Sequence, residues 1–293
     1  MTEVITSEII DQEICLIKLN RPDTLNSLNK TLVDGLYNSI DECEKNDSIR
    51  SIIITGNGRG FCAGADLANG GWPTEDGWSA GKATANAMEI GFNPLVRKIV
   101  NSKKPIINAI NGIAAGGGVG LALCGDIVIA SEKAKFKLVF GPQLGIIPDV
   151  GASWLVPNLI GRAKANGLAL LGDDLDAKQA YEWGLIWQVV KNEDLLSEAT
   201  KIAKRIADSA ITGLKAVVKA HDKALVSTLD EQLNYERDTQ EIFCNKEEFK
   251  EGVRAFLEKR KPNFKDIKTV SYTHLRAHET DSYLVCRLVL EKK

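Results

Sequence analysis

The sequence predicts an α/β core followed by a helical region, on three observations. Short β-branched runs alternate with helix-periodic stretches up to about residue 190. From about residue 192 long charged segments with apolar stripes take over. Glycine-rich segments follow directly on strand candidates, where tight strand-to-helix connections are needed. The expected organisation is a core over 1–191, a helical region over 192–268 and a segment 269–293 that fits neither.

Residues 14–19, ICLIKL, are an apolar run that ends at the turn NRPDTLNS and reads as a buried strand. Leu28, Leu32, Leu36 and Ile40 recur every four residues and mark one face of a helix running to about Glu44. RSIIIT at 50–55 is a strand stopped by GNGRG, PIINAI at 105–110 is another, and DIVIA at 126–130 repeats the theme. In the helical region, Leu225, Leu229 and Leu233 form one stripe, and Phe249, Val253, Phe256 and Leu257 another. Asn245 and Glu248 have the spacing of a capping box opening the last helix. Those apolar faces are expected to pack on the core or on a neighbouring subunit. Residues 269–293, TVSYTHLRAHETDSYLVCRLVLEKK, follow the natural end KRKPNFKDIK without amphipathic logic. They resemble translated adapter sequence and are set apart from the fold.

Composition narrows the function. The chain has 293 residues, 44% of them hydrophobic, enough for a substantial core. Lys plus Arg number 37 against 39 Asp plus Glu, a balance that argues against a nucleic-acid surface. No apolar run reaches the roughly 18 residues of a membrane span. The start, MTEVITSEIIDQEICLIKL, has neither a basic segment nor a cleavage site of a signal peptide, so a cytoplasmic protein is expected. Six scattered cysteines without a C-x-x-C pair, and three histidines at 221, 274 and 278, supply no clustered metal ligands. They leave little room for Ser-His-Asp or Cys-His chemistry unless His221 serves it.

Three glycine-rich segments remain: 58–67 (GRGFCAGADL), 111–120 (NGIAAGGGVG) and 144–153 (LGIIPDVGAS). Singly, each is explained by a tight turn or close packing. The dinucleotide fingerprint is not met, because Gly118-Val119-Gly120 lacks the third glycine and Val128 is no ribose-binding carboxylate. Together they suggest that an N–H near Ala65 and a helix-start N–H near Gly117 converge on one oxygen. Glycine at 116–118 lets backbone approach a ligand, and the positive helix end adds to the attraction. Such a pair is an oxyanion hole for a thioester carbonyl, worth several kcal/mol in an acyl-transfer or enolate reaction.

FCAGADL, NGIAAGGGVGLALCGDIVIA and LGIIPDVGASWLVPNLIGRAKANGLALLGD resemble the enoyl-CoA hydratase/isomerase (crotonase) superfamily. The resemblance runs from about residue 5 to 268 and includes EGVRAFLEKRKPNF. NPLVRKI at 93–99, the 171–190 stretch and LNYERDTQ at 233–240 are most similar to ring-1,2-epoxyphenylacetyl-CoA isomerases of aerobic phenylacetate breakdown. The resemblance implies a crotonase-like ββα spiral core, a C-terminal helical trimerisation region, acyl-CoA substrates and a homotrimer or hexamer. It places the oxyanion amides at Ala65 and Gly117. It sets Ala63, Gly64, Asp66, Leu67 and Gly116 around the substrate. Phe256 and Lys259 match positions that contact the CoA nucleotide from a neighbouring subunit, although Lys259 in EKRK also reads as a solvated lysine.

Family hydratases use two glutamates, and the matching positions here are Gly120 and Gly141, which carry no proton-transferring side chain. Asp149 remains. Its residue type fits an N-cap for a helix starting near Val150, and the resemblance implies the single acid/base of an isomerase; the two roles are compatible. Such a reaction calls for no metal, no cofactor and no water. Asp66 and Asp126 also read as caps or structural groups, and His221, seven residues after Leu214, reads as packing. Trp72 and Trp78 read equally as acyl-pocket or lid residues and as loop anchors, whereas Cys62 lacks a nearby base. Competing readings are a different acyl-CoA lyase or a hydrolytic dehalogenase with Asp149 as nucleophile, an RNA-binding member and a non-catalytic acyl-CoA-binding partner. The dehalogenase reading lacks a pocket histidine and the RNA-binding one a basic patch.

Overall fold

A computed structural model describes residues 3–267. The segment 269–293, with His274, His278 and Cys286, lies outside the described residues. The chain divides into two compact units, residues 1–243 and residues from 244 onward. The helices between 195 and 243 therefore belong to the same unit as the α/β core.

Among the described residues the first unit holds two sheets. The larger runs in the order β1 (Ile5–Ile10), β2 (Ile14–Leu19), β3 (Ser51–Gly56), β5 (Ile106–Ile110), β7 (Ile127–Ser131) and β10 (Gln188–Val190). The smaller runs β4 (Gly60–Cys62), β6 (Ile113–Ala115), β8 (Lys135–Lys137) and β9 (Leu175–Asp176). Only the β1–β2 and β8–β9 pairs are antiparallel.

One unit repeats three times. In β3–β4, β5–β6 and β7–β8 the first strand joins the larger sheet and the second turns into the smaller. Helices follow each pair: α2 (Ala80–Ala87) and α3 (Asn93–Val100) after the first, α4 (Gly117–Leu123) after the second, and α5 (Ala152–Leu171) after the third. This is the expected ββα spiral. Helix α1 (Lys30–Lys45) precedes the repeats, starting at Asn29, whose side chain accepts the Leu32 N–H.

The continuous apolar strands follow from burial on both faces. Cys15, Ile17, Leu19, Ile52 and Ile54 face the main core between the sheets and helices. Ile14, Leu16, Ile53, Ile107 and Ile129 face the other way, against Leu195, Ala199 and Ala203 of α7 (Leu195–Ala207). Small residues at i and i+4 let α7 lie close to the sheet. The unit continues through α6 (Ala177–Glu182), α8 (Ile211–Ala224) and α9 (Leu229–Cys244).

Two sequence expectations are corrected here. The Leu225, Leu229 and Leu233 stripe is split by a turn between α8 and α9, and all three side chains are exposed. A capping box that the sequence reading did not mark opens α9 at Thr228 and Glu231. The Thr228 hydroxyl accepts the Glu231 N–H at 3.3 Å, and Glu231 accepts the Thr228 N–H at 2.8 Å. The last helix, α10 (Glu247–Leu257), has Lys246 at its N-cap position in place of Asn245. Within the second unit, the Glu251 carboxylate accepts hydrogen bonds from Arg260, Arg254 and the Asn263 N–H, which hold it well below the usual carboxylate range.

Candidate active site

The site is built where adjacent parallel strands end. Strands β4 and β6 pair with Cys62 opposite Ala114, so the residues leaving them, 63–66 and 116–117, emerge side by side. Gly64 has φ +90°, and a β-carbon there would meet the Ala115 oxygen at 2.8 Å and the Gly117 nitrogen at 3.1 Å. Only glycine permits both the conformation and the approach.

The neighbouring amides are spent on the fold. Ala63 N–H donates to the Leu25 oxygen at 3.0 Å, Asp66 N–H to the Leu28 oxygen at 2.9 Å, and Gly116 N–H to the Lys137 oxygen at 2.9 Å. The amides of Ala65 and Gly117 have no hydrogen-bond partner among the described residues. Gly117 is the first residue of α4, where no intrahelical carbonyl is in reach. Two unspent donors thus flank the junction of the two segments.

Helix α4 is seated flush against its surroundings. A β-carbon at Gly118 would lie 2.1 Å from the Cys62 oxygen, and one at Gly120 the same distance from the Val150 oxygen. Glycine at position 120 is therefore a packing requirement, and a glutamate does not fit there. Gly141 lies on an exposed turn, Phe140–Leu144.

Asp149 lies on the segment between that turn and α5. A β-carbon at Gly117 would stand 3.2 Å from Asp149 Oδ1. Val150 has φ +50° and Gly151 φ +81°. For a β-branched residue the left-handed region costs about 1–3 kcal/mol, strain of the kind that clusters at functional sites. The N-cap of α5 is Gly151, without a side-chain cap, so the Asp149 carboxylate does not cap that helix; its backbone oxygen accepts the Ala152 N–H at 2.9 Å. Burial raises the Asp149 pKa above the ordinary aspartate value, and a hydrogen bond from its own amide offsets part of the rise.

Asp66 has a different environment. Its carboxylate pairs with Arg21 at 2.8 Å and accepts the Asn69 N–H at 2.8 Å. Burial pushes its pKa up, but Arg21 and the loop amides outweigh it, and the net shift is downward. Arg21 also donates to the Ser27 oxygen at 2.6 Å, tying loop 63–69 to the segment before α1. Sequence reading missed this pair, because 45 positions separate its members.

The other candidates fall as follows. The Leu67 side chain is 79% exposed beside the loop. Trp72 packs edge-on against Phe92 with ring centroids 4.9 Å apart, over the bare backbone of Gly91, which makes it a loop anchor. Trp78 donates to Glu75 at 3.1 Å under Lys82. Asp126 accepts from Lys215 and the Ile106 N–H and is structural. His221 is exposed, which corrects its reading as a packed residue. Cys62 is buried, with its thiol pushed up to about 12 by burial, so it carries no thiolate at neutral pH. Phe256, 81% exposed, and Lys259, in the left-handed region at the end of α10, belong to the second unit. A depression of about 400 Å³ lined by Tyr37, Arg97, Lys98 and Lys103 contains none of the site residues. Among the described residues no helix is long and apolar enough to cross a membrane.

Comparison with known proteins gives the class to which this fold of repeated ββα units belongs. The family profile described as enoyl-CoA hydratase/isomerase matches residues 9–268, and the chain belongs to that family, the crotonase superfamily. It is 45% identical over 264 residues to the 1,2-epoxyphenylacetyl-CoA isomerase of Escherichia coli (strain K12), covering 90% of this chain and 99% of that protein. It is 33% identical over 259 residues to the crotonyl-CoA hydratase of Syntrophomonas wolfei, covering 87% of this chain and 95% of that protein. The crystal structure of an enoyl-CoA hydratase from Bacillus anthracis superimposes with a TM-score of 0.81 at 31% identity, over 89% of this chain and 99% of that one.

Proposed function

We propose that this crotonase-superfamily enzyme is an acyl-CoA isomerase with one acid/base, Asp149. The observation that carries the proposal is the setting of its carboxylate: half-buried, uninvolved in capping and beside the Gly117 amide, with glycine at both positions that would hold hydratase glutamates. The thioester oxygen sits between the Ala65 and Gly117 amides, which stabilise the negative charge of the enolate. Ala63, Gly64, Asp66, Leu67 and Gly116 shape the backbone around it. Phe256 and Lys259 serve the CoA nucleotide from a neighbouring copy in a homotrimer or hexamer. The exposed apolar residues of α9 support such an assembly: Leu229 is 76% exposed and Leu233 51%.

In the reaction, Asp149 takes a proton from the carbon beside the thioester, and the electron pair moves onto the thioester oxygen. The pair then returns through the conjugated system as Asp149 delivers its proton at the far end. A 3-enoyl thioester becomes the 2-enoyl isomer. For a ring-1,2-epoxyphenylacetyl thioester, the carbon–carbon bond within the epoxide opens, the ring expands to an oxepin, and the proton is returned to the ring. Both conversions are redox-neutral, gain no atoms and call for no cofactor. The name of the E. coli relative supports the second substrate.

Chromatography with mass detection, after incubation with each thioester, tests the proposal. An isomerase yields a product of unchanged mass and altered retention. A product heavier by one water, or none with either thioester, contradicts it.

A further inference from the structure

From the structure we infer that Asn108 is a positioning residue for the Gly117 amide, acting from the opposite end of α4. This rests on the oxyanion role proposed above for Gly117.

Asn108 lies in the middle of β5, paired with Ile54 of β3 on one side and Val128 of β7 on the other, and is fully buried. Its side-chain nitrogen donates to the Leu121 oxygen at 3.0 Å and to the Ala122 oxygen at 2.9 Å. These carbonyls belong to the last turn of α4, where a helix has no internal donors for them. Both neighbours can only accept, so the amino side of the amide must face them. The Asn108 carbonyl oxygen is left buried with no partner among the described residues. A buried acceptor without a donor costs free energy, and that cost is tolerated here for a fixed geometry at the helix end.

The helix has little other freedom. Its sides rest on the Cys62 and Val150 oxygens through Gly118 and Gly120, contacts that limit lateral movement. Movement along the axis is limited by the double hydrogen bond from the central strand. An axial slip carries the Gly117 N–H past the Ala65 N–H and Asp149 together, and displacements near 1 Å can cost about 100-fold in rate. Gly125 adds a second control. A β-carbon there would lie 2.8 Å from Asn108 Cγ and 2.9 Å from its nitrogen, so any side chain at 125 displaces the amide.

Isotope-edited vibrational spectroscopy of the full-length protein with phenylacetyl-CoA, ¹³C-labelled at the thioester carbonyl, reads the polarisation directly. That probe has neither epoxide nor isomerisable double bond. The parent is expected to lower the carbonyl frequency relative to water. Asn108→Ala and Gly125→Ala are expected to lose at least about half of that shift, with kcat falling about tenfold or more and KM changing less than about threefold. Spectra are taken well below each variant's Tm, so loss of stability alone does not move the frequency. Should Asn108→Ala fail to fold, Gly125→Ala carries the test. A parent with no shift overturns the oxyanion reading itself. A shift present in the parent and fully retained in the folded variants overturns the role of Asn108 alone.

Discussion

Gly117 faces Asp149 so closely that a β-carbon on the glycine would stand 3.2 Å from the carboxylate oxygen and 2.8 Å from Cγ2 of Val150. Val150 cannot readily rotate away, because it is β-branched and already in the left-handed region. Gly117→Ala is therefore expected to push the Asp149–Val150 segment away from α4. Steady-state kinetics should show kcat/KM lowered about 100-fold, and thermal unfolding a loss of about 1–3 kcal/mol. Unchanged activity would show that the spacing is not needed.

The carboxylates of Asp149 and Asp66 should respond to pH in opposite directions. Burial gives Asp149 a raised pKa in the folded state, so its contribution to stability is greatest at low pH and declines as pH rises through that pKa. Asp149→Asn is expected to have a higher Tm than the parent at pH 7, with the difference closing below about pH 4. A lower Tm at pH 7 would contradict the burial of an unpaired carboxylate.

Asp66 is held below its ordinary pKa by Arg21 and loop amides against the opposing effect of burial. Its stabilisation is present above the unfolded aspartate pKa and is lost as pH falls through the folded value. Both side chains of the pair are largely buried, so Asp66→Asn leaves the Arg21 charge without its partner. The expected loss is about 3 kcal/mol at pH 7, narrowing in acid, and is measurable by denaturant unfolding at several pH values.

Restoring a glutamate should not restore water addition. The β-carbon of Gly120→Glu would fall 2.1 Å from the Val150 backbone oxygen, which cannot yield without moving Asp149. The variant is expected to lose at least about 1–3 kcal/mol of stability and to gain no hydration of a 2-enoyl thioester. Measurable hydration would show that Gly120 is not what separates this site from a hydratase.

Four of the six strands of the larger sheet were legible in the sequence, whereas β1 and β10 were not marked as strands. ICLIKL, RSIIIT, PIINAI and DIVIA are continuous apolar runs because Ile53 and Ile107 face α7 while Ile52 and Ile54 face the main core. The smaller sheet was not legible, since strands of two or three residues such as Gly60–Cys62 and Lys135–Lys137 are too short to show a period. Amides near Ala65 and Gly117 were expected to converge, and the pairing of β4 with β6 brings segments 63–66 and 116–117 side by side. The left-handed Val150, the Arg21–Asp66 pair and the Asn108 anchor arise from tertiary placement and leave no local pattern. His221 was misjudged because a helical spacing from Leu214 says nothing of which face is covered.

Under the proposed function Asp149 moves a proton within the acyl group while the two amides hold the thioester oxygen. The most direct test is the turnover of 3-enoyl-CoA and ring-1,2-epoxyphenylacetyl-CoA by the parent and by Asp149→Asn, with phenylacetyl-CoA binding measured alongside. The parent is expected to turn over at least one substrate, and the variant to show a fall in kcat of about 100-fold or more with binding within about threefold of the parent. An Asp149→Asn protein that turns over either substrate as fast as the parent would contradict proton transfer by Asp149.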